Sequence, residues 1–187
     1  MRHVISALVI NEPGVLANVA GMFAARGFNI DSLVVGRTED PKLSRMTIVC
    51  VADENTLDQV KKQLAKLVPV VAVHDFVNSS YLERDLALIT VSVAPDKRSE
   101  VIEIATLFRG KVVDVAPESV VIELSGTEEK IEALIELVRP YGIKELARTG
   151  VIAMSRGLRA QKNVGVAGAT QRKRSLDAPA AAALPPS

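Results

Sequence analysis

The sequence predicts an α+β fold built from two consecutive βαββαβ units. Three observations predict it. Apolar runs of strand length alternate with segments whose apolar residues recur every three or four positions. Glycines and prolines punctuate the helix ends. The whole order then recurs: His3 aligns with Leu86, Ile10 with Val93, and Arg26-Gly27 with Arg109-Gly110, all 83 positions apart.

Residues 4–10 form the first strand, with apolar side chains on both faces. Asn11-Glu12-Pro13-Gly14 leads into a helix with Leu16, Val19, Ala20, Phe23 and Ala24 on one side, and Gly27 stops it. Residues 29–37 and 43–51 read as a hairpin about Glu39-Asp40-Pro41-Lys42. A second helix over 55–67 turns Leu57, Val60, Leu64 and Leu67 inward, and Pro69 marks its exit toward a strand at 70–76. The order returns with a strand at 86–93, a helix over 97–108, a hairpin about Pro117-Glu118, a helix over 127–139 and a final strand from Ile143. The chain thus divides into a first unit at 1–77, a polar linker at 78–85, a second unit at 86–158 and a disordered tail at 159–187, rich in Ala, Gly and Pro. Right-handed crossovers make each unit ferredoxin-like, a four-stranded antiparallel sheet with both helices on one face. The other face then needs a cover, from self-association or from packing between units.

Composition narrows the function. The 187 residues are 48% hydrophobic but only 3% aromatic, without Trp, so the cores are aliphatic. Six basic residues and one acid follow Ser155, leaving 17 basic and 21 acidic residues in 1–155. A net of −4 on the folded body argues against a nucleic-acid footprint. No apolar run approaches the ~20 residues of a membrane span. The N-terminus runs directly into a strand pattern, without a signal or transit peptide, which reads as cytoplasmic. The single cysteine, Cys50, lies in an apolar strand and reads as core. His3 and His74 lack metal-ligand spacing, and neither a phosphate-binding glycine motif nor a Ser/His/Asp set is present. No catalytic or metal site is therefore assigned.

One segment has the makings of a binding site for a free amino acid. The first turn of a helix offers unpaired N–H groups and partial positive charge, which suit a carboxylate. Gly14 lets a ligand approach the backbone, and the amides of Gly14, Val15 and Leu16 are the expected donors. Asn11 and Asn29 can each accept from an ammonium or donate to a carboxylate. Ile30, with Leu33, offers apolar wall for a branched aliphatic side chain. The second unit has Ala94-Pro95-Asp96-Lys97 in place of Asn11-Glu12-Pro13-Gly14, without the early glycine or the asparagine.

Residues 11–33, NEPGVLANVAGMFAARGFNIDSL, with Leu43-Ser44-Arg45-Met46-Thr47-Ile48, Phe108-Arg109-Gly110, Arg148-Thr149-Gly150 and Ser155-Arg156-Gly157, closely resemble the regulatory small subunit of acetohydroxyacid (acetolactate) synthase over residues 2–158. Asn18 departs from the arginine common in that family. The resemblance implies that the first unit is an ACT domain, the family's amino-acid sensor. It implies a homodimer through ACT domains that binds and activates a catalytic large subunit and confers feedback inhibition by valine. Asn11 and Gly14–Leu16 would come from one chain, and Asn29 and Ile30 from its neighbour. Thiamine diphosphate, Mg²⁺ and FAD would belong to the large subunit. Two rival readings are an ACT sensor attached to another biosynthetic enzyme, against which the Arg148–Gly157 segment argues, and an RNA-recognition module. The latter shares the βαββαβ order but stacks bases on aromatics where this chain has Val, Ile and Leu.

Overall fold

A computed structural model describes residues 1–77 and 79–157. The tail expected at 159–187 lies outside them. The first unit contains β1 (Arg2–Ile10), α1 (Val15–Ala24), β2 (Ser32–Arg37), β3 (Leu43–Val51), α2 (Glu54–Lys66) and β4 (Val70–Asp75). The second contains β5 (Tyr81–Ser92), α3 (Arg98–Leu107), β6 (Lys111–Ala116), β7 (Ser119–Gly126), α4 (Glu128–Val138), β8 (Ile143–Arg148) and β9 (Ile152–Ser155). The two antiparallel sheets have corresponding orders, β2-β3-β1-β4 and β6-β7-β5-β8.

Each sheet buries one face against its helices. Ile5, Ala7 and Val9 of β1 meet Met46, Ile48 and Cys50 of β3 and the inner sides of α1 and α2. The second core repeats this arrangement with Ala87, Ile89 and Val91 over Val120, Ile122 and Leu124. Both are mainly aliphatic, as the composition requires, with Phe23 a fully buried aromatic of the first, and Cys50 is a core residue.

Helix α1 is rotated from expectation. Val15, Val19, Met22 and Phe23 are buried, while Leu16 is 46% exposed and Ala24 is also exposed. Both faces satisfy the helical period, and burying Val15 and Met22 removes more apolar surface from water than burying Leu16 and Ala24. The helix ends in a Schellman turn. Gly27 takes φ +67°, Phe28 N donates to Phe23 O (3.0 Å), Gly27 N donates to Ala24 O (3.1 Å), and the two phenylalanine rings meet edge to face. Helix α3 begins later than expected because Pro95–Lys97 forms a single 3₁₀ turn ahead of it.

The segment read as a linker is largely strand. From Tyr81 the chain is already in β5, whose first residues pair with β9, Leu82 opposite Met154 and Arg84 opposite Ile152. Strand β9, beyond the expected last strand, was hidden by its shortness between two glycine-bearing turns. The β5–β9 ribbon supplies the cover that the first sheet needs: Val4, Val49 and Phe76 pack with Tyr81, Val151 and Ala153. The units are joined through that small third core.

Candidate functional site

The end of β1 and the start of α1 form a cradle. Gly14 precedes the helix with φ +84°, and a Cβ built on it meets no atom within 4 Å. The position thus favours glycine by conformation and is open to solvent on its Cβ side. Pro13 stands outside the helix, so it shapes the turn and does not occupy the first helical position. No side chain caps α1. Val15 N lies 3.5 Å from Glu12 O, and Asn18 N bonds Gly14 O at 3.0 Å. Among the described residues, the amides of Gly14, Leu16 and Ala17 have no acceptor. Two of the three expected donors are therefore free, and Ala17 joins them. Its amide was legible in principle, since every uncapped helix start leaves several N–H groups unpaired.

Asn11 holds the cradle's outer wall. Its Nδ2 donates to Pro41 O (3.0 Å) and its Oδ1 accepts from Ser44 Oγ (3.1 Å), tying the end of β1 to the β2–β3 turn. One amide hydrogen and one lone pair remain for a ligand. Asn29 and Ile30 do not open the second strand. They lie in the loop before β2, with Asn29 Nδ2 on Asp31 Oδ1 at 2.7 Å. Ile30 and Leu33 pack against the first core. The loop departs from strand geometry because it leaves the Schellman turn, and pairing resumes only where Asp31 N reaches Val49 O.

Within one chain the two halves stand apart. Asp31 bonds beside Val49, and Val49 pairs with Val4, seven strand residues before Asn11. At about 3.3 Å per residue the halves are roughly 20 Å apart, at opposite ends of the sheet. The cavity over Val34, Arg45 and Thr47 and the one between Ser32 and Arg148 include none of Asn11, Gly14, Asn29 and Ile30.

A second polar cluster stands in the second unit, beside its seam with the first. Asp85, its side chain 1% exposed, accepts from Arg148 Nε (2.8 Å), Thr149 Oγ1 (3.2 Å) and Gly150 N (3.1 Å). Burial alone pushes the Arg148 pKa down, but hydrogen bonds to Asp85 and Glu132 outweigh it, so the guanidinium stays charged. Gly150 takes φ +85°, and a Cβ there would stand 2.7 Å from Ser32 Oγ and 2.8 Å from Val34 Cγ2. Val151 N donates to Ser32 Oγ (3.3 Å), and Arg2 reaches Glu83 and Glu128 across the same seam. Asp85, Arg148 and Thr149 thus hold the Gly150 turn within the second unit, and that turn is the clasp that seats the unit on Ser32 and Val34 of the first.

Comparison with known proteins assigns both units. The model of the acetolactate synthase small-subunit ACT domain matches residues 5–72, and that of the acetolactate synthase small subunit matches residues 84–157. A probable acetolactate synthase small subunit of Archaeoglobus fulgidus is 54% identical over 84% of this chain and 98% of its own length. The chain belongs to the acetolactate synthase small-subunit family. The small subunit of Mycolicibacterium smegmatis is 48% identical over 84% of this chain and 92% of its own. The crystal structure of the Thermotoga maritima small subunit superposes with a TM-score of 0.77 at 43% identity, covering 84% of this chain and 98% of that one. The cradle therefore lies in the ACT unit of a small subunit, and the clasp begins in the family's C-terminal unit. Among the described residues no group of His, Cys, Asp and Glu could hold a metal ion, and no helix is long and apolar enough to cross a membrane.

Proposed function

We propose that this small subunit is the cytoplasmic regulator of an acetolactate synthase, binding the catalytic large subunit, raising its activity and making it subject to feedback inhibition by valine. The uncapped start of α1 carries the reading. The free amides of Gly14, Leu16 and Ala17 face a site that suits the valine carboxylate, with the helix dipole behind them. The residual capacity of Asn11 serves the ammonium or the carboxylate, and the exposed Leu16 side chain offers an apolar surface beside it.

The separation of the half-sites supports a two-chain site. Strand β2 is an edge of the first sheet and begins at Ser32, with only Asp31 between it and Asn29-Ile30. A two-fold axis beside β2 reverses the neighbour's direction, which turns the neighbour's Asn29 end toward this chain's Asn11 end. Valine then bridges the chains, and its binding biases their relative geometry. Allosteric couplings of about 1–3 kcal/mol are typical, within reach of one set of charge-assisted hydrogen bonds. The chain supplies no catalytic group in this reading. Thiamine diphosphate, Mg²⁺ and FAD belong to the large subunit.

Reconstitution with a candidate large subunit tests the proposal. Synthase activity rises on adding this chain and falls when valine follows. A catalytic subunit unaffected by the chain, at concentrations that form a complex, contradicts it.

A further inference from the structure

A cavity of about 520 Å³ lies on the face of the first sheet opposite its helices, where the β5–β9 ribbon only partly covers it. Its floor is Val34, Gly36, Arg45 and Thr47, which the register places on one face: Gly36 pairs with Arg45 and Val34 with Thr47. A Cβ built on Gly36 meets nothing within 4 Å, so the floor is open above it. Leu82, Ile152 and Met154 wall the mouth, 40%, 55% and 67% exposed. Such a volume falls in the range of roughly 300–1,000 Å³ typical of small-molecule sites.

Its charge sets it apart. Arg37, Arg45 and Arg84 line the cavity against one acid, Glu39, although residues 1–155 carry a net negative charge. Among the described residues none of these three guanidiniums has a carboxylate within ion-pair distance. Arg45 donates only to Ser6 Oγ (3.0 Å), and Arg84 to Glu83 O (2.7 Å). A cation set in mid-sheet beside apolar walls, held by one hydroxyl, retains donors for an anion.

We infer that this cavity binds an organic anion with an apolar body. A carboxylate or phosphate head engages Arg45 with Arg37 or Arg84, and an aliphatic or aromatic body lies against Leu82, Ile152 and Met154. None of Asn11, Gly14, Asn29 or Ile30 lines it, so the site is separate from the valine cradle. Because the cavity walls come from both units, its ligand bridges the seam between them.

Calorimetric titration of the full chain with octanoate and octyl phosphate, against octanol and octylammonium, tests the inference. At least one anion binds, more weakly as salt rises, and the two anions together show whether a carboxylate or a phosphate head is preferred. Octanol binds more weakly and octylammonium gives no heat. Arg45→Gln weakens the anion by about tenfold, the loss of one charge-assisted contact. Gly36→Leu fills the floor without touching a charge and weakens it at least as much; Gly36 has no left-handed backbone to strain, so circular dichroism stays that of the parent. No heat from either anion, equal affinity for octanol, or anion affinity unchanged in Gly36→Leu overturns the inference.

Discussion

Helices α1 and α3 occupy the same place in two units of the same topology, yet they begin differently. Helix α1 follows a left-handed glycine and leaves three amides open, without a side-chain cap. Helix α3, likewise without a side-chain cap, follows a 3₁₀ turn in which Lys97 N donates to Ala94 O. Helices α2 and α4 are capped by Asp53 and Thr127. Their C-terminal ends differ too. In the first unit Gly27 takes the left-handed position; in the second Arg109 does so (φ +55°), while a Cβ on Gly110 would crowd Ala105 O and Glu123 O, each 3.2 Å away. One architecture has been given two tasks. The first unit starts its helix from a left-handed glycine with open amides, and the second enters its own through a 3₁₀ turn and contributes the clasp.

The comparison sharpens through substitutions that separate the tasks. The largest stability effect belongs to the clasp. Asp85→Ala removes the buried acceptor of Arg148, Thr149 and the Gly150 amide, while Arg148 keeps Glu132, and costs about 3 kcal/mol in chemical denaturation; a loss below about 1 kcal/mol would mean that this cluster bears little of the second unit's stability. Gly150→Ala drives a Cβ into Ser32 and Val34 on a left-handed backbone and costs about 2 kcal/mol in the same assay. Thr127→Ala removes the cap of α4, a 3.4 Å bond, and costs up to about 1 kcal/mol. Smallest is the effect of thiol reagents on Cys50. Burial, with Asp31 nearby, pushes its thiol pKa up, so native alkylation runs at least about tenfold slower than in urea and leaves the fold intact.

The fold was legible because its main signals are local. Strand-length runs of Val, Ile and Leu, helix-period spacing and the 83-residue recurrence place both sheets and all four helices. What escaped depended on partners distant in sequence. Tyr81–Arg84 looks polar enough to be a linker until β9 pairs with it. Arg148-Thr149-Gly150 offers no hint that a buried Asp85 lies 63 residues before Arg148. The open amides of Gly14 and Leu16 follow from glycine ahead of a helix. The attachment of Asn11 to Pro41 and Ser44, by contrast, requires the hairpin to fold back on β1.

The central claim is that valine is held by the backbone at the start of α1. Gly14→Asp tests it most directly, because it sets a carboxylate beside the ligand's own at a position where nothing else is within 4 Å. Valine titrations of the wild type and this variant, alone by calorimetry and with the large subunit by synthase activity, give the answer. The account predicts that valine binding and valine inhibition vanish together while activation persists. Undiminished inhibition in Gly14→Asp would contradict it.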